Sequence, residues 1–227
     1  MSDSPNENPF SGLPFFGDMA KAMSSQGPLQ WDVARQTAMM TALSGNSTEA
    51  NVDPAARVGI ERLVPIADLH VRNHTGLDTA PAGKDPHVVV VNRSMWAHHT
   101  LESYKPLFNE LATSLSGSPT IPTDALDVSQ DDPMMNMMAS LNKMMAPAMM
   151  GMSVGTMVGQ LALKSFGQYD LPLPREPRDQ MLIVASNVDE FAHDWSIPAD
   201  DMRMWVLIHE ITSHAVLTSP HIRTAVS

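Results

Sequence analysis

The segment that decides the fold is MRMWVLIHEITSHAVL, residues 202–217, near the end of a 227-residue sequence. Apolar residues occur on nearly every side of this segment, which predicts a helix from about Asp200 to Leu217 that is buried on most faces. His209, Glu210 and His214 interrupt the apolar pattern. Because an unsatisfied buried polar group costs about 1–3 kcal/mol, each of these residues requires a partner or a task.

One such task is metal binding. In the motif His-Glu-x-x-His, two imidazoles four residues apart face one zinc ion, and the glutamate beside the first polarises a zinc-bound water. Here Ser213 stands four residues after His209, and the next histidine is His214. Side chains five residues apart on a regular α-helix diverge by about 140° and lie about 7.5 Å apart along the axis. His209 and His214 therefore share a metal only if a π-bulge aligns them.

The residues alone also allow a structural interpretation, in which a core histidine bonds a backbone carbonyl and Glu210 lies at a solvent edge. The other histidines add little. His70 and His74 are four residues apart and can share a helix face, but such pairs on solvated faces are usually incidental. His98 and His99 are adjacent, so they face different ways.

The composition excludes several classes of function. Asp and Glu number 25 against 14 Lys and Arg, a net charge of −11 without a basic cluster, which argues against a nucleic-acid binder. The sequence has no cysteine, so any metal must be held by histidines and carboxylates. The stretch from Met1 to Asn8 has no basic residue, unlike a secretory signal, and this predicts a cytoplasmic protein.

The chain pattern predicts one mainly helical domain over residues 28–227 with a small β-sheet. Its strands are predicted near 87–91 (HVVVV) and 181–185 (MLIVA). Residues 1–27 are predicted to form a flexible tail with an apolar island, Phe10 to Phe16, and the acidic residues 116–133 a flexible linker. Residues 168–175 (QYDLPLPR) are predicted to be extended. Besides the helix from about Asp200, helix starts are predicted at Gly27-Pro28, Asp53-Pro54 and Ser94.

Methionine is concentrated in one region, since ten of the 19 methionines lie between Met134 and Met157. The run Met144 to Leu163 has no charge and carries Gly151, Gly155 and Gly159 at four-residue spacing. That pattern suits a membrane-spanning helix. Its proline and polar residues favour a buried helix instead, whose glycines let a neighbouring backbone approach closely. The methionines are interpreted as core filling; alternatively, residues 134–157 form the contact surface of a non-catalytic interaction module.

Several segments resemble one known family. They are Met181-Leu-Ile-Val-Ala with Phe191, Trp195, Asp200-Asp-Met-Arg-Met-Trp-Val and His209-Glu210; Gly155-Thr-Met-Val-Gly159-Gln-Leu-Ala; Gly167-Gln-Tyr-Asp-Leu-Pro-Leu-Pro174; and, earlier, Asn8-Pro-Phe, Phe15-Phe-Gly17-Asp, Ser25-Gln-Gly-Pro28, Trp31 and Ala34-Arg-Gln. Together they resemble actinobacterial zincin-like, zinc-dependent metalloproteases, some of which are associated with deazaflavin coenzyme biosynthesis.

The resemblance implies a zincin-like domain that holds zinc and cleaves peptides or proteins. It implies His209 as first zinc ligand and Glu210 as general base. The family places histidine where this chain has Ser213, and zincins take a third ligand downstream of this helix, whereas this sequence ends at Ser227. Since a catalytic zinc needs about three protein ligands, the expectation is a degenerate or inactive metallopeptidase, C-terminally incomplete, with weak zinc binding.

Overall fold

The structure, a computed structural model, describes residues 27–80, 84–117, 133–171, 179–219, 221, 222 and 224. In these ranges the chain forms seven helices and two strands, which confirms the predicted fold class, mainly α with a small sheet. Their order is α1 (Trp31–Ala42), α2 (Pro54–Thr75), β1 (His87–Val91), α3 (Arg93–Ser103), α4 (Lys105–Gly117), α5 (Pro133–Ala162), β2 (Gln180–Val184), α6 (Ala185–Asp194) and α7 (Ala199–Thr218).

The chain divides into two compact units. The first unit comprises Met1–Arg35 and Lys105–Val154, and the second comprises Gln36–Tyr104 and Gly155–Ser227. The prediction of one domain over residues 28–227 stays a prediction.

The sheet belongs to the second unit and consists of two parallel strands. The register pairs His87 with Gln180 and ends with Val91 opposite Val184. A helix follows each strand almost at once, so α3 and α6 begin at the same edge of the sheet. Ala185 is the first residue of α6, which moves the second strand one residue back from the predicted 181–185.

Helices α2 and α7 form the core of the second unit together with the sheet. The apolar faces of the two helices pack against each other and against the sheet, which removes these faces from water. The largest fully buried apolar side chains of this core are Ile60, Met181, Ile183, Val188, Leu207 and Ile211. The helix predicted from Asp200 to Leu217 is thus present as α7, although Trp205 on it is 58% exposed.

Local signals explain where the helices begin. The Asp53 carboxylate accepts a hydrogen bond from the Ala55 backbone N–H at 3.0 Å, so the start predicted at Asp53-Pro54 is confirmed. The predicted cap at Ser94 is wrong. The Asn92 side chain accepts the bond from the Met95 N–H at 3.0 Å, and Ser94 lies inside α3. Asparagine is at least as good an N-cap as serine, and here it stands one residue before the helix.

The glycines of α5 allow close approach, as predicted. In the first unit, a Cβ on Gly151 would lie 2.5 Å from the Gln30 carbonyl oxygen. In the second unit, a Cβ on Gly159 would lie 2.7 Å from the Ala38 carbonyl oxygen. Neither position has room for a Cβ, so each glycine permits close packing against α1 or the residue before it.

The sequence led us to expect the methionines of α5 in the core. That expectation is wrong for four of them, which lie on the side of the helix away from the glycines. Met145, Met149, Met152 and Met157 are 51%, 59%, 56% and 46% exposed. Only the face with the small residues and valines is buried. No helix within the described ranges has both the length and the hydropathy to cross a membrane.

Trp31 of the first unit is half-buried. Its indole N–H donates to the Asn109 side-chain oxygen at 3.1 Å, and the Lys105 ammonium lies 5.3 Å from the ring centroid. Phe108 packs at a ring-centroid distance of 6.5 Å, which fixes α4 against the start of α1.

Three predictions fall largely outside the described residues: the flexible tail, except for Gly27; the linker, of which 118–132 are not described; and the extended segment, beyond Leu171. The two ends of the predicted linker 116–133 are helical, because α4 continues to Gly117 and α5 begins at Pro133.

Candidate functional site

The candidate site lies in the second unit, where the middle of α7 meets the loop 165–171. His209 and Glu210 are neighbours on α7 but differ in exposure. The Glu210 side chain is fully buried, whereas that of His209 is 41% exposed. The His209 ring stacks on Trp205, one turn earlier, at a centroid distance of 5.7 Å and an interplanar angle of 11°.

The Glu210 carboxylate is bound by backbone amides of the loop. The Gln168 N–H donates to Oε2 at 2.8 Å, and the Tyr169 N–H lies 3.0 Å from Oε2 and 3.2 Å from Oε1. These bonds replace the water that burial removes, which is the condition for keeping a carboxylate inside a core. Glu210 therefore connects α7 to a segment about 40 residues earlier in the chain.

Gly167 makes this contact sterically possible. A Cβ at this position would lie 2.3 Å from the Glu210 Cδ atom. Any other residue would displace the carboxylate or the loop. The predicted interpretation of Glu210 as an edge residue is thus wrong, because its side chain is covered by the loop.

The rest of the loop is held from several directions. The Asp170 Oδ2 atom accepts hydrogen bonds from the Phe166 N–H and, at 3.1 Å, from the Gly167 N–H. The Trp96 indole N–H donates to the Gly167 carbonyl oxygen at 2.7 Å. A backbone bridge between Gly167 and Ile183 ties the loop to β2. These contacts hold the loop in place over the Glu210 side chain.

The charges of the pair influence each other. Burial raises the pKa of the Glu210 carboxyl above its ordinary value, and the interactions with His209 and the Tyr169 N–H oppose that rise. The hydrogen bond with Glu210 raises the pKa of His209, against the effect of its partial burial. The atoms involved, His209 Nδ1 and Glu210 Oε1, are 3.4 Å apart. The contact between the two side chains favours a protonated His209 and an ionised Glu210, whereas burial acts against the charge on each of them.

His214 faces a different partner. Its Nδ1 atom lies 2.7 Å from the Tyr169 hydroxyl in a buried contact. Burial lowers the pKa of this histidine. Helix α7 is α-helical from Ala199 to Thr218. The π-bulge on which a shared metal with His209 depended is therefore absent from α7.

Sequence reasoning missed Asp170 as a candidate ligand. Among the described residues, Asp170, His209 and Glu210 each offer a ligand atom within 4.8 Å of the others. Asp170 lies in the segment GQYDLPLP, which was recognised only as part of a resemblance. Nothing in its spacing from His209 could have revealed the proximity, because 39 residues separate them.

This group does not fit a catalytic zinc centre. Both Glu210 oxygens already accept backbone N–H bonds, and the carboxylate has no open side from which to act on a water. Ser213 supplies no imidazole, and His214 is turned to Tyr169.

The remaining histidine pairs form no larger group in the described part of the chain. The His70 and His74 rings are 6.2 Å apart between centroids, and His74 Nδ1 lies 2.9 Å from the His70 carbonyl oxygen. That contact occupies one of the two ring nitrogens of His74.

Comparison with known proteins gives two matches. A family model described as zincin-like metallopeptidase matches residues 29–221. A solved structure from Chloroflexus aurantiacus, described as a candidate hydrolase with a novel fold, aligns with a TM-score of 0.59 and 19% sequence identity. The alignment covers 87% of this chain and 56% of that one, so this chain spans little more than half the length of that protein. At this identity the likeness concerns the fold alone. No curated protein matches the chain.

Proposed function

The chain belongs to the zincin-like metallopeptidase family, and from this premise we propose that it is a non-catalytic member. Zincin-like families typically bind zinc and act on peptides. In this chain, we infer, the His-Glu pair stabilises the fold instead. The observation that carries the proposal is the fully buried Glu210 carboxylate, whose two oxygens accept hydrogen bonds from the Gln168 and Tyr169 amides.

The argument rests on what a general base requires. A glutamate that activates water must reach that water through a free lone pair, within about 2.6–3.2 Å. Both Glu210 oxygens accept from loop amides, and the Gly167 backbone closes the space beside the Cδ atom. Ser213 in place of the second histidine supports the same conclusion, since one imidazole is a weak zinc site.

Peptides or proteins remain the ligand class that we propose for the molecule, by analogy with the family. A net charge of −11 makes nucleic acid an unsuitable partner.

The test compares Glu210→Gln with wild type in a casein-cleavage assay with added zinc and in urea unfolding. We expect no cleavage by either protein. We also expect Glu210→Gln to lower the free energy of unfolding by about 1–3 kcal/mol, because one loop amide then faces an NH₂ group instead of an acceptor.

Glu190→Gln serves as the matched control. Glu190 pairs with Arg93 but its side chain is 63% exposed, so the loss should stay below about 1 kcal/mol. Chelator-sensitive cleavage by the wild type that disappears in a fully stable Glu210→Gln variant would refute the proposal.

A second candidate function uses the exposed side of α5. Leu141, Met145, Met149 and Met152 are each more than a third exposed, and their spacing of four, four and three residues places them within about 80° around the helix. We call these four residues the Met face. Adaptable thioethers at such a surface suit the contact of a non-catalytic interaction module.

A further inference from the structure

We propose that the Met face is covered by the chain's own segment Phe10 to Phe16. The inference rests on the second candidate function, because it names the occupant of that face. It does not depend on whether the His-Glu pair is catalytic.

The first argument is the apolar surface exposed on the described helices of the first unit. The Met face exposes its four side chains by 37%, 51%, 59% and 56%. On α4, Leu107, Leu111 and Leu115 are 45%, 48% and 49% exposed at regular four-residue spacing. Monomeric proteins rarely leave contiguous apolar patches open without a partner for them.

The second argument is where the N-terminal chain enters the first unit. Leu29 is fully buried, and the Gln30 N–H donates to the Pro147 carbonyl oxygen of α5 at 3.1 Å. The entry point is therefore on α5 itself, between Met145 and Met149 in sequence. Gly27 has a positive φ of 82°, which permits a sharp change of direction just before this contact.

The third argument is reach. Eleven residues, 17–27, connect the apolar segment to this entry point. They can span about 36 Å when extended, whereas α5 with its side chains is about 10–12 Å across. The segment can therefore pass round the helix and lie along the Met face, which extends over about 16 Å from residue 141 to residue 152.

The fourth argument is chemical complementarity. Residues 9–17, PFSGLPFFG, contain no charge and hold three of the chain's six phenylalanines. Methionine sulfur makes favourable contacts with aromatic rings, and its unbranched side chain adapts to their shape. A phenylalanine-rich segment and a methionine-rich helix face thus suit one another more specifically than two aliphatic surfaces would.

The test measures methionine oxidation in the full chain. Dilute hydrogen peroxide is added, and sulfoxide at each methionine is followed by peptide mass spectrometry. Met40 on α1 is 64% exposed and provides the reference rate. We expect Met149 and Met152 to oxidise about tenfold more slowly than Met40, which corresponds to a face covered in about nine molecules of ten.

The decisive variant is the double substitution Phe15→Ser with Phe16→Ser, expected to raise the oxidation rates of Met149 and Met152 to that of Met40. The matched control, Asn6→Ser with Asn8→Ser, changes polar residues that precede the segment and should leave both rates low. The readout needs no activity, and an unchanged circular dichroism spectrum shows that the variants fold.

Other occupants give different results. Protection that appears only at high protein concentration indicates a second copy, and protection that appears only with phosphatidylcholine and phosphatidylglycerol vesicles indicates a lipid surface. Either result overturns this inference and leaves the second candidate function in place. Oxidation at the Met40 rate under all conditions overturns this inference as well.

Discussion

At the scale of single residues, the buried carboxylate of Glu210 depends on a neighbour without a side chain. Gly167 places backbone against the Glu210 Cδ atom, and the next two residues donate their N–H groups to its oxygens. The contact therefore requires glycine at position 167, where a side chain has no room, and two backbone N–H groups that stabilise the carboxylate.

We predict that Gly167→Ala lowers the free energy of unfolding by about 1–3 kcal/mol, the usual cost of forcing extra volume into a packed core. A Cβ at this position leaves no room without moving the loop or the Glu210 carboxylate. Urea unfolding measures the change. Gln160→Ala, at an exposed position on α5, is the control and should change stability by less than about 0.5 kcal/mol. Equal stability of both variants would contradict the packing described here.

His214 gives the molecule a dependence on pH. Burial lowers its pKa, so in the window below about 6.5 the unfolded chain binds a proton that the folded chain does not. The stability that this group contributes is present above pH 6.5 and is lost as the pH falls towards the folded-state pKa. The loss is about 1.4 kcal/mol for each unit by which the folded-state pKa lies below the unfolded-state pKa. Asp179 acts in the opposite direction and reduces the effect.

We predict that His214→Asn, measured by urea unfolding between pH 7 and pH 5, loses less stability on acidification than the wild type. His209 is present in both proteins, so its contribution, which is lost as the pH rises above about 6.5, cancels in the comparison. The free energy of unfolding should fall more steeply with decreasing pH in the wild type than in the variant. Equal dependence on pH would show that His214 titrates as in the unfolded chain.

At the scale of elements, α3 begins where an asparagine side chain and a glutamate meet backbone amides. Asn92 accepts from the Met95 N–H, while the Glu49 carboxylate accepts from the Arg93 N–H at 2.7 Å and the Ser94 N–H at 2.9 Å. Three of the first free amides of the helix are thereby satisfied.

We predict that Asn92→Ala costs about 1 kcal/mol of unfolding free energy, the typical value for a lost N-cap. Ser94→Ala should cost less than about 0.5 kcal/mol, because it is the backbone N–H of Ser94, retained in alanine, that donates to Glu49. Thermal or urea unfolding of the two variants side by side decides between the cap observed and the one expected from the sequence. A larger loss for Ser94→Ala would reverse the assignment.

Local signals were sufficient to predict most elements. Four consecutive valines predict β1, and Asp53-Pro54 predicts the start of α2, because each signal acts within a few residues. The packing of Asp170 and Gly167 against α7 was not predictable in this way. It joins residues about 40 positions apart, and no periodicity links them. The exposure of Met149 and Met152 was missed for a related reason: methionine occurs in cores and on contact surfaces alike, and only the glycines identify which face of α5 is buried.

At the scale of the whole molecule, the proposed absence of a catalytic zinc has a thermodynamic consequence. A folded-state zinc site at a hundred times its dissociation constant would add about 2.7 kcal/mol of stability. In a chain of this length that raises the melting temperature by roughly 5–11 °C.

We predict that neither a chelator nor excess zinc changes the melting temperature by more than about 1 °C, measured by differential scanning calorimetry. Ser213→His restores two imidazoles four residues apart and is the variant expected to respond to zinc. A wild-type shift of several degrees that disappears in Asp170→Asn would instead identify Asp170, His209 and Glu210 as a metal site.

The core of the second unit also determines when the chain can fold during its synthesis. Strand β1 ends at Val91, but its partner begins at Gln180, and α2 packs against a helix whose last buried residue is Ala215. At about 5–20 residues per second, a ribosome takes roughly 6–25 s to make the 124 residues between Val91 and Ala215. During that time α2 and β1 have been synthesised, but β2 and α7, which cover their apolar sides, have not. A nascent chain with this topology is a natural client for chaperones that bind exposed apolar segments.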